Sequence, residues 1–141
     1  MKTRRLTPSF HCYNLGVLTR PFYLHNDKLT LFGHPKVGAS WEGYAIEQVI
    51  RILHPDEVYF WASHSGAELD LLVFHHGKRY GIEVKFNEAP EVTRSMHIVL
   101  HDLSLSHLWV IYPGAQAYPV HKQITVWPLQ EVGNLAQFSQ V

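Results

Sequence analysis

Asp70, Glu83 and Lys85 are charged residues that lie inside two apolar segments, ELDLLVF and RYGIEVKF, instead of at their ends. If these segments form a hairpin that turns at His76-Gly77, the pairing places Asp70 directly opposite Glu83. Opposite residues have Cβ atoms about 4.5–5.5 Å apart, and Lys85 shares the face of Glu83 because side chains alternate along a strand. The two carboxylates and the lysine are therefore expected together on one face of a sheet.

Two carboxylates at this separation repel each other unless a cation lies between them or one of them holds a proton. A divalent cation that prefers oxygen ligands, Mg²⁺ or Mn²⁺, meets that requirement. Asp70 and Glu83 are thus candidate metal ligands. A structural alternative stays open, because the same pairing places Glu68 opposite Lys85, where the two would form a cross-strand salt bridge.

A helix predicted over residues 41–53 supplies a third acidic residue. Ser40 is suited to cap its first turn, and apolar residues follow one side of it. Glu42 falls near the middle of that apolar stripe, so its carboxylate is expected to point inward. Glu47 falls towards the polar side, four residues before Arg51, and is interpreted as half of an ordinary surface ion pair.

The elements that must position these residues follow from the pattern along the chain. Residues 1–35 are broken by prolines and are predicted to form an irregular arm, and His54-Pro55 is expected to end the first helix. Three strands follow in EVYFWAS, ELDLLVF and RYGIEVKF. A second helix is predicted to begin with Pro90 at its N1 position, and LWVIY and ITVWPL give two more strands. The predicted class is α/β (α+β), a mixed sheet flanked by helices in the order α-β-β-β-α-β-β.

Length and composition limit the classes of protein that fit. With 141 residues, 46% of them hydrophobic, the chain can bury a core as one domain over 1–141, with 36–132 as its core region. Twelve basic and twelve acidic residues balance, so net charge does not attract it to nucleic acid or to a membrane. Cys12 is the only cysteine, which excludes an internal disulfide. We expect a cytoplasmic protein with no membrane partner.

The spacing of Asp70, twelve intervening residues and then Glu83-Val84-Lys85 resembles the motif of the PD-(D/E)XK nuclease superfamily. Glu42 matches the glutamate that many members carry on their first core helix, and the predicted element order agrees with their restriction-endonuclease-like core. A closer resemblance is to the uncharacterised C-terminal domain of prokaryotic AAA+-type ATPases. It spans Gly33 to Leu129 and is carried by GHPKVGASWEGYAIEQVI, FWASHSGAELDLLV, GIEVKF and LWVIYPGAQAYPV.

The nuclease resemblance implies a catalytic set of Glu42, Asp70, Glu83 and Lys85 that hydrolyses phosphodiester bonds of DNA or another nucleic acid. In it Asp70 and Glu83 hold Mg²⁺ or Mn²⁺, Glu42 acts as an outer-shell or second-metal ligand, and Lys85 orients or deprotonates the attacking water. The chain has no G-x-x-x-x-G-K-[ST] loop, so it is not expected to hydrolyse ATP. The alternative is a non-catalytic module that binds a partner protein or nucleic acid.

Overall fold

The structure is a computed structural model that describes residues 2–5, 35–64 and 66–138. The described helices are α1 (Pro35–Leu53), α2 (Arg94–Asp102), a short 3-10 helix (Leu129–Glu131) and α3 (Val132–Phe138). The described strands are β1 (Lys2–Arg5), β2 (Glu57–Ala62), β3 (Glu68–His75), β4 (Lys78–Val84), β5 (His107–Tyr112), β6 (Tyr118–His121) and β7 (Ile124–Pro128). The predicted α+β class is confirmed.

The described strands form one mixed sheet in the order β1-β2-β3-β4-β5-β7-β6. Strands β1 to β4 pair antiparallel in sequence order, whereas β4 pairs parallel with β5 and β5 pairs parallel with β7. A parallel pair needs a crossover connection, and α2 lies in the one between β4 and β5. The end of β4 and the end of β5 therefore meet at the same edge of the sheet.

Helices cover both faces of this sheet. Ala45 and Val49 of α1 pack with Ile82 and Val84 of β4 in one buried cluster, to which α3 contributes Leu135. A second cluster, on the other face, contains the buried residues of α2 and the alternate residues of β5. Because side chains alternate along β4, Glu83 points to the α2 face while its neighbours on either side point to α1.

The hairpin between β3 and β4 has the predicted register. His75 pairs with Lys78 across the turn, and the pairing continues in step to Leu71 with Ile82. The turn residues His76 and Gly77 both have positive φ, 49° and 74°. This is the conformation of a two-residue turn whose twist matches that of the strands it joins.

Gly77→Ala is expected to lower the free energy of unfolding by about 1–2 kcal/mol, because a Cβ is disfavoured at a left-handed φ. Gly77→Asn is the matched control and should cost less, since asparagine tolerates this conformation better. Urea unfolding of the three proteins measures both effects. Equal stability of the alanine and asparagine variants would contradict this account of the turn.

Both helices that flank the site begin elsewhere than predicted. Helix α1 begins at Pro35, so Ser40 lies inside it and is not its cap; proline suits the first turn, where its missing N–H costs nothing. Helix α2 begins at Arg94 instead of following Pro90. Thr93 caps it by accepting a hydrogen bond from the backbone N–H of Met96 at 3.3 Å.

Two strands were not predicted. β6 is a short edge strand that contains Pro119, and β1 lies in the arm that was expected to be irregular, pairing there with β2. Residues 6–34, the rest of that arm, lie outside the described residues. None of the described helices combines the length and the apolar character needed to cross a membrane.

Glu47 is not the surface residue that was expected. It is only 8% exposed and its Oε1 has no hydrogen-bond partner. Within the described part of the chain it forms no ion pair with Arg51, which is exposed. The interpretation of Glu47 as half of a surface ion pair was wrong. A helical wheel orders positions around one helix, but it does not show which other parts of the chain bury them.

Candidate active site

A β-bulge positions Asp70. Tyr59 pairs with Leu72 and Trp61 pairs with Leu69, so two residues of β3, Asp70 and Leu71, lie opposite one residue of β2. A bulge of this kind bends the strand and changes the direction of a side chain, and such bulges are frequent beside active sites. The bulge therefore includes the aspartate itself.

The carboxylate of Asp70 binds the backbone of β4 where the regular ladder between the two strands ends. The last ladder pair is Leu71 with Ile82, and beyond it Val84 donates its N–H to Asp70 Oδ2 at 2.8 Å. A side-chain acceptor thus takes the place of a strand carbonyl. Beyond the ladder, the two strands are thus joined through the side chain of Asp70.

Lys85 forms an ion pair with Glu83, with 2.7 Å between Nζ and Oε1. The Glu83 side chain is 13% exposed and that of Lys85 40% exposed, so the pair lies at the mouth of the site. The alternative pairing of Lys85 with Glu68 is not observed. Lys85 instead lies with Glu83, one of the two acids predicted to share its face of the sheet.

Glu42 approaches the same place from α1, around the end of β4. Its Oε1 accepts a hydrogen bond from the backbone N–H of Phe86 at 3.5 Å. The neighbouring Trp41 packs on Phe86 with ring centroids 5.5 Å apart, which fixes α1 against this end of the strand. Glu42 is close enough to contribute to the electrostatic field at Lys85. The structure thus brings together Glu42, Asp70, Glu83 and Lys85.

Burial and mutual repulsion set the charge state of the acids. Burial raises the pKa of Asp70 above 3.8, against the opposing effects of the Val84 N–H and the Lys85 charge. Burial also raises the pKa of Glu83 above 4.5, and the nearby Asp70 charge raises it further. Burial alone lowers the pKa of Lys85, but its bond to Glu83 and the charges of Glu83, Asp70 and Glu42 raise it overall. Lys85 is therefore held as a cation among three acids.

A pH dependence follows from these directions. A carboxyl group whose pKa is raised by folding stabilises the fold below its ordinary pKa and loses that contribution as the pH rises through the folded value. We expect the free energy of unfolding of the wild type, relative to Glu83→Gln, to fall as the pH rises from 4.5 towards neutrality. Urea unfolding of both proteins at several pH values measures the difference.

His107 does not disturb this comparison. Burial lowers the pKa of His107, so its own contribution is lost in the opposite direction, as the pH falls. It is present in both proteins and cancels in their difference. A difference that stays constant from pH 4.5 to 7 would show that Glu83 carries no raised pKa.

The donor atoms of the site fit a hard divalent cation. Asp70 and Glu83 offer carboxylate oxygens, which Mg²⁺ and Mn²⁺ prefer. Burial raises the pKa of both groups, so ionising them inside the protein costs free energy that a bound cation would offset. Within the described ranges, no three His, Cys, Asp or Glu side chains converge as a metal site. An ion held here would use two carboxylates and keep several waters, as Mg²⁺ commonly does.

Two backbone groups of the site were not predicted. The N–H groups of Val84 and Phe86 hold the carboxylates of Asp70 and Glu42, and backbone donors carry no signal in the amino-acid sequence. The bulge at Asp70 was missed for a related reason. Its position depends on pairing with β2, and the pattern within β3 does not reveal it.

The fold and this cluster define a mixed α+β domain with three acids and a lysine at the end of its central hairpin. The chain belongs to the family described as Domain of unknown function (DUF4143), whose match covers residues 37–132.

The sequence is 37% identical over 131 residues to the uncharacterized proteins Rv2008c of Mycobacterium tuberculosis and Mb2031c of Mycobacterium bovis. The match covers 93% of this chain and 30% of each relative, so the chain spans about a third of their length. A solved structure, protein VC1899 from Vibrio cholerae, aligns with 12% identity over 76% of this chain and 35% of its own, with a TM-score of 0.39.

Proposed function

We propose that the chain is a metal-dependent nuclease of the PD-(D/E)XK type that hydrolyses phosphodiester bonds in DNA or another nucleic acid. One observation carries the proposal: Lys85 pairs with Glu83 at 2.7 Å, and the charges of Asp70 and Glu42 also act on it, where the ladder of the central hairpin ends. Structural ion pairs rarely place three partly buried carboxylates around one amine, because each unpaired charge costs free energy. A site that handles cations and phosphate explains the excess of acids.

Each residue has a role that its surroundings support. Asp70 and Glu83 would hold Mg²⁺ or Mn²⁺, which when bound supplies a Lewis acid for the phosphate oxygens. Lys85, held as a cation, donates to a phosphate oxygen and stabilises the negative charge that gathers there. This favours charge stabilisation over deprotonation of water as the role of Lys85. Glu42 would orient the chain after β4 through the N–H of Phe86, and its charge helps to keep Lys85 a cation.

The reaction is a hydrolysis. The oxygen of a water molecule bonds to phosphorus, and the bond between phosphorus and one ester oxygen breaks. The protons of the water end on the released hydroxyl group and on the phosphate product. No oxidant, reductant or nucleotide cofactor is required for this balance.

A second candidate function rests on the direct pairing of Lys85 with Glu83 at 2.7 Å. In that function the pair supports the fold, and the chain is a non-catalytic module that contacts a partner protein or nucleic acid. The formal net charge of zero agrees with a protein partner in particular, since no overall field attracts a polyanion.

A cleavage assay separates the two functions. Single-stranded, duplex and branched DNA and single-stranded RNA are incubated with the protein and Mg²⁺ or Mn²⁺, beside Glu83→Gln, which keeps the side-chain volume but removes the charge. We expect cleavage of at least one substrate by the wild type and its loss in the variant. Equal cleavage by both would identify a contaminating nuclease. Absence of cleavage on every substrate would favour the binding module.

A further inference from the structure

An open cleft of about 790 Å³ lies beyond the ends of β4 and β5, lined by residues 88–89, 112–116 and 118. Lys85 donates its N–H to the carbonyl of Ile111 at 2.9 Å, and the next residue, Tyr112, lines the cleft. Tyr112 packs in the cluster on the α2 face, the face to which Glu83 and Lys85 point by alternation along β4. The cleft therefore opens on the side of the sheet to which Lys85 points, and the backbone of Lys85 is bonded to the residue that precedes a lining residue.

One wall of the cleft is held rigidly. The hydroxyl of Tyr112 donates to the carbonyl of Gln116 at 2.6 Å and accepts from the N–H of Gln116 at 3.1 Å. Gly114 lies so close to the Tyr112 ring that any Cβ at this position would overlap it. The backbone N–H and carbonyl of Gln116 thus fasten the loop between β5 and β6 to the buried ring of Tyr112. A rigid loop beside a reactive group suits the positioning of a substrate.

The lining of the cleft is aromatic and amide in character. Tyr118 is half-buried and packs edge-on against Tyr112, with ring centroids 6.0 Å apart, and Gln116 is exposed at the rim. The charged residue among the lining residues is Glu88, and none of them is a lysine or arginine. With one carboxylate and no basic residue, the lining offers no cationic partner to a phosphate, but its aromatic and amide groups suit a flat, uncharged ring that can stack and form hydrogen bonds.

We propose that this cleft binds a nucleobase of a single-stranded nucleic acid, stacked on Tyr118 and contacted by the Gln116 amide, with the adjoining phosphate directed to Lys85. The inference deepens the proposed function and rests on it for the identity of the polymer. Bases within a duplex are stacked on each other and cannot enter such a cleft, whereas single strands expose them. The cleft therefore selects single-stranded substrate, or unpaired bases at the ends of a duplex.

The test measures binding, so it does not depend on cleavage. A short fluorescent single strand of mixed sequence and its duplex are titrated by anisotropy, with every protein carrying Glu83→Gln to prevent hydrolysis. Loss of one stacked base typically costs about 1–3 kcal/mol, so Tyr118→Ala should weaken single-strand binding about 5- to 150-fold. Tyr118→Phe should bind like the parent because it keeps the ring.

Two further variants keep the test decisive. Tyr44→Ala removes a tyrosine that is 43% exposed on α1, outside this cleft, and should leave binding unchanged. Gln116→Ala removes only a side-chain amide, because the contacts of Gln116 with Tyr112 are made by its backbone. It should weaken single-strand binding, and it provides the test if Tyr118→Ala is too unstable to assay.

Failure of this inference and failure of the proposed function give different results. Unchanged single-strand binding in folded Tyr118→Ala and Gln116→Ala, or equal losses in Tyr44→Ala, would overturn the base-binding cleft even if the wild type cleaves nucleic acid. Tight duplex binding with weak single-strand binding would also overturn it. Binding that depends on Tyr118 in a protein that cleaves nothing would support the cleft and contradict the nuclease.

Discussion

Lys85→Ala is expected to reduce cleavage by about 10²–10³-fold, the usual effect of removing one group that stabilises charge in a transition state. Mn²⁺ binding should remain or become tighter, because the variant removes a cation that now pairs with Glu83 at 2.7 Å. Glu83→Ala, in contrast, should lose both cleavage and metal binding. Loss of the lysine is thus expected to impair cleavage alone, whereas loss of Glu83 impairs both cleavage and metal binding, although the two side chains are in contact.

Rates under single-turnover conditions and Mn²⁺ titrations followed by calorimetry measure the two effects separately. Lys122→Ala is a suitable control, since Lys122 is exposed in the turn between β6 and β7. Weaker Mn²⁺ binding in Lys85→Ala would mean that the lysine supports the geometry of the acids. Full activity of Lys85→Ala would remove it from the catalytic set.

Asp70→Asn is expected to stabilise the protein without metal and to abolish its stabilisation by metal. Burial raises the pKa of Asp70, so ionising this group at neutral pH costs free energy in the folded state. An asparagine oxygen can still accept the hydrogen bond that Val84 donates at 2.8 Å, which keeps the hairpin end intact. The variant removes the charge while preserving the structural contact.

Thermal melts with and without Mg²⁺ or Mn²⁺ measure this effect. At a metal concentration 100-fold above Kd, linkage gives the wild type about 2.7 kcal/mol of added stability, and Asp70→Asn should gain none. Asp102→Asn is the matched control because Asp102 is exposed at the end of α2. An equal metal shift in Asp70→Asn and the wild type would place the ion elsewhere.

The central hairpin could be predicted from the sequence because its signals are local. His76-Gly77 specifies a two-residue turn, and the turn fixes the register along both strands up to Leu71 and Ile82. Alternation then determines which side chains share the face of Glu83. The position of Glu42 in the apolar stripe of α1 predicted that its carboxylate points towards the hairpin. These features need only the neighbours of each residue along the chain.

Features that depend on distant parts of the chain were not predictable. The bulge that redirects Asp70 arises from pairing with β2, and β6 forms only because β7 offers it a partner. The burial of Glu47 depends on contacts between α1 and other parts of the chain, which the pattern within α1 does not show. The hydrogen bond between Tyr112 and Gln116 joins β5 to the loop that follows it. Pro113-Gly114 signals a loop at this position but does not show where the loop packs.

The salt dependence of binding distinguishes stacking from phosphate contacts. With no net charge and an acidic lining in the cleft, binding should draw on stacking more than on phosphate contacts, and its salt dependence should be shallow. A steep salt dependence would instead indicate a basic groove of the kind that holds duplex DNA by neutralising many phosphates.

Anomalous X-ray diffraction from crystals soaked in Mn²⁺ tests the central claim most directly, because it locates the ion without relying on activity. We expect an anomalous peak within coordinating distance of carboxylate oxygens of Asp70 and Glu83, absent from crystals of Asp70→Asn. A map without such a peak at saturating Mn²⁺, or with Lys85 still paired to Glu83 and the ion bound elsewhere, would contradict a metal-dependent site at the end of the hairpin.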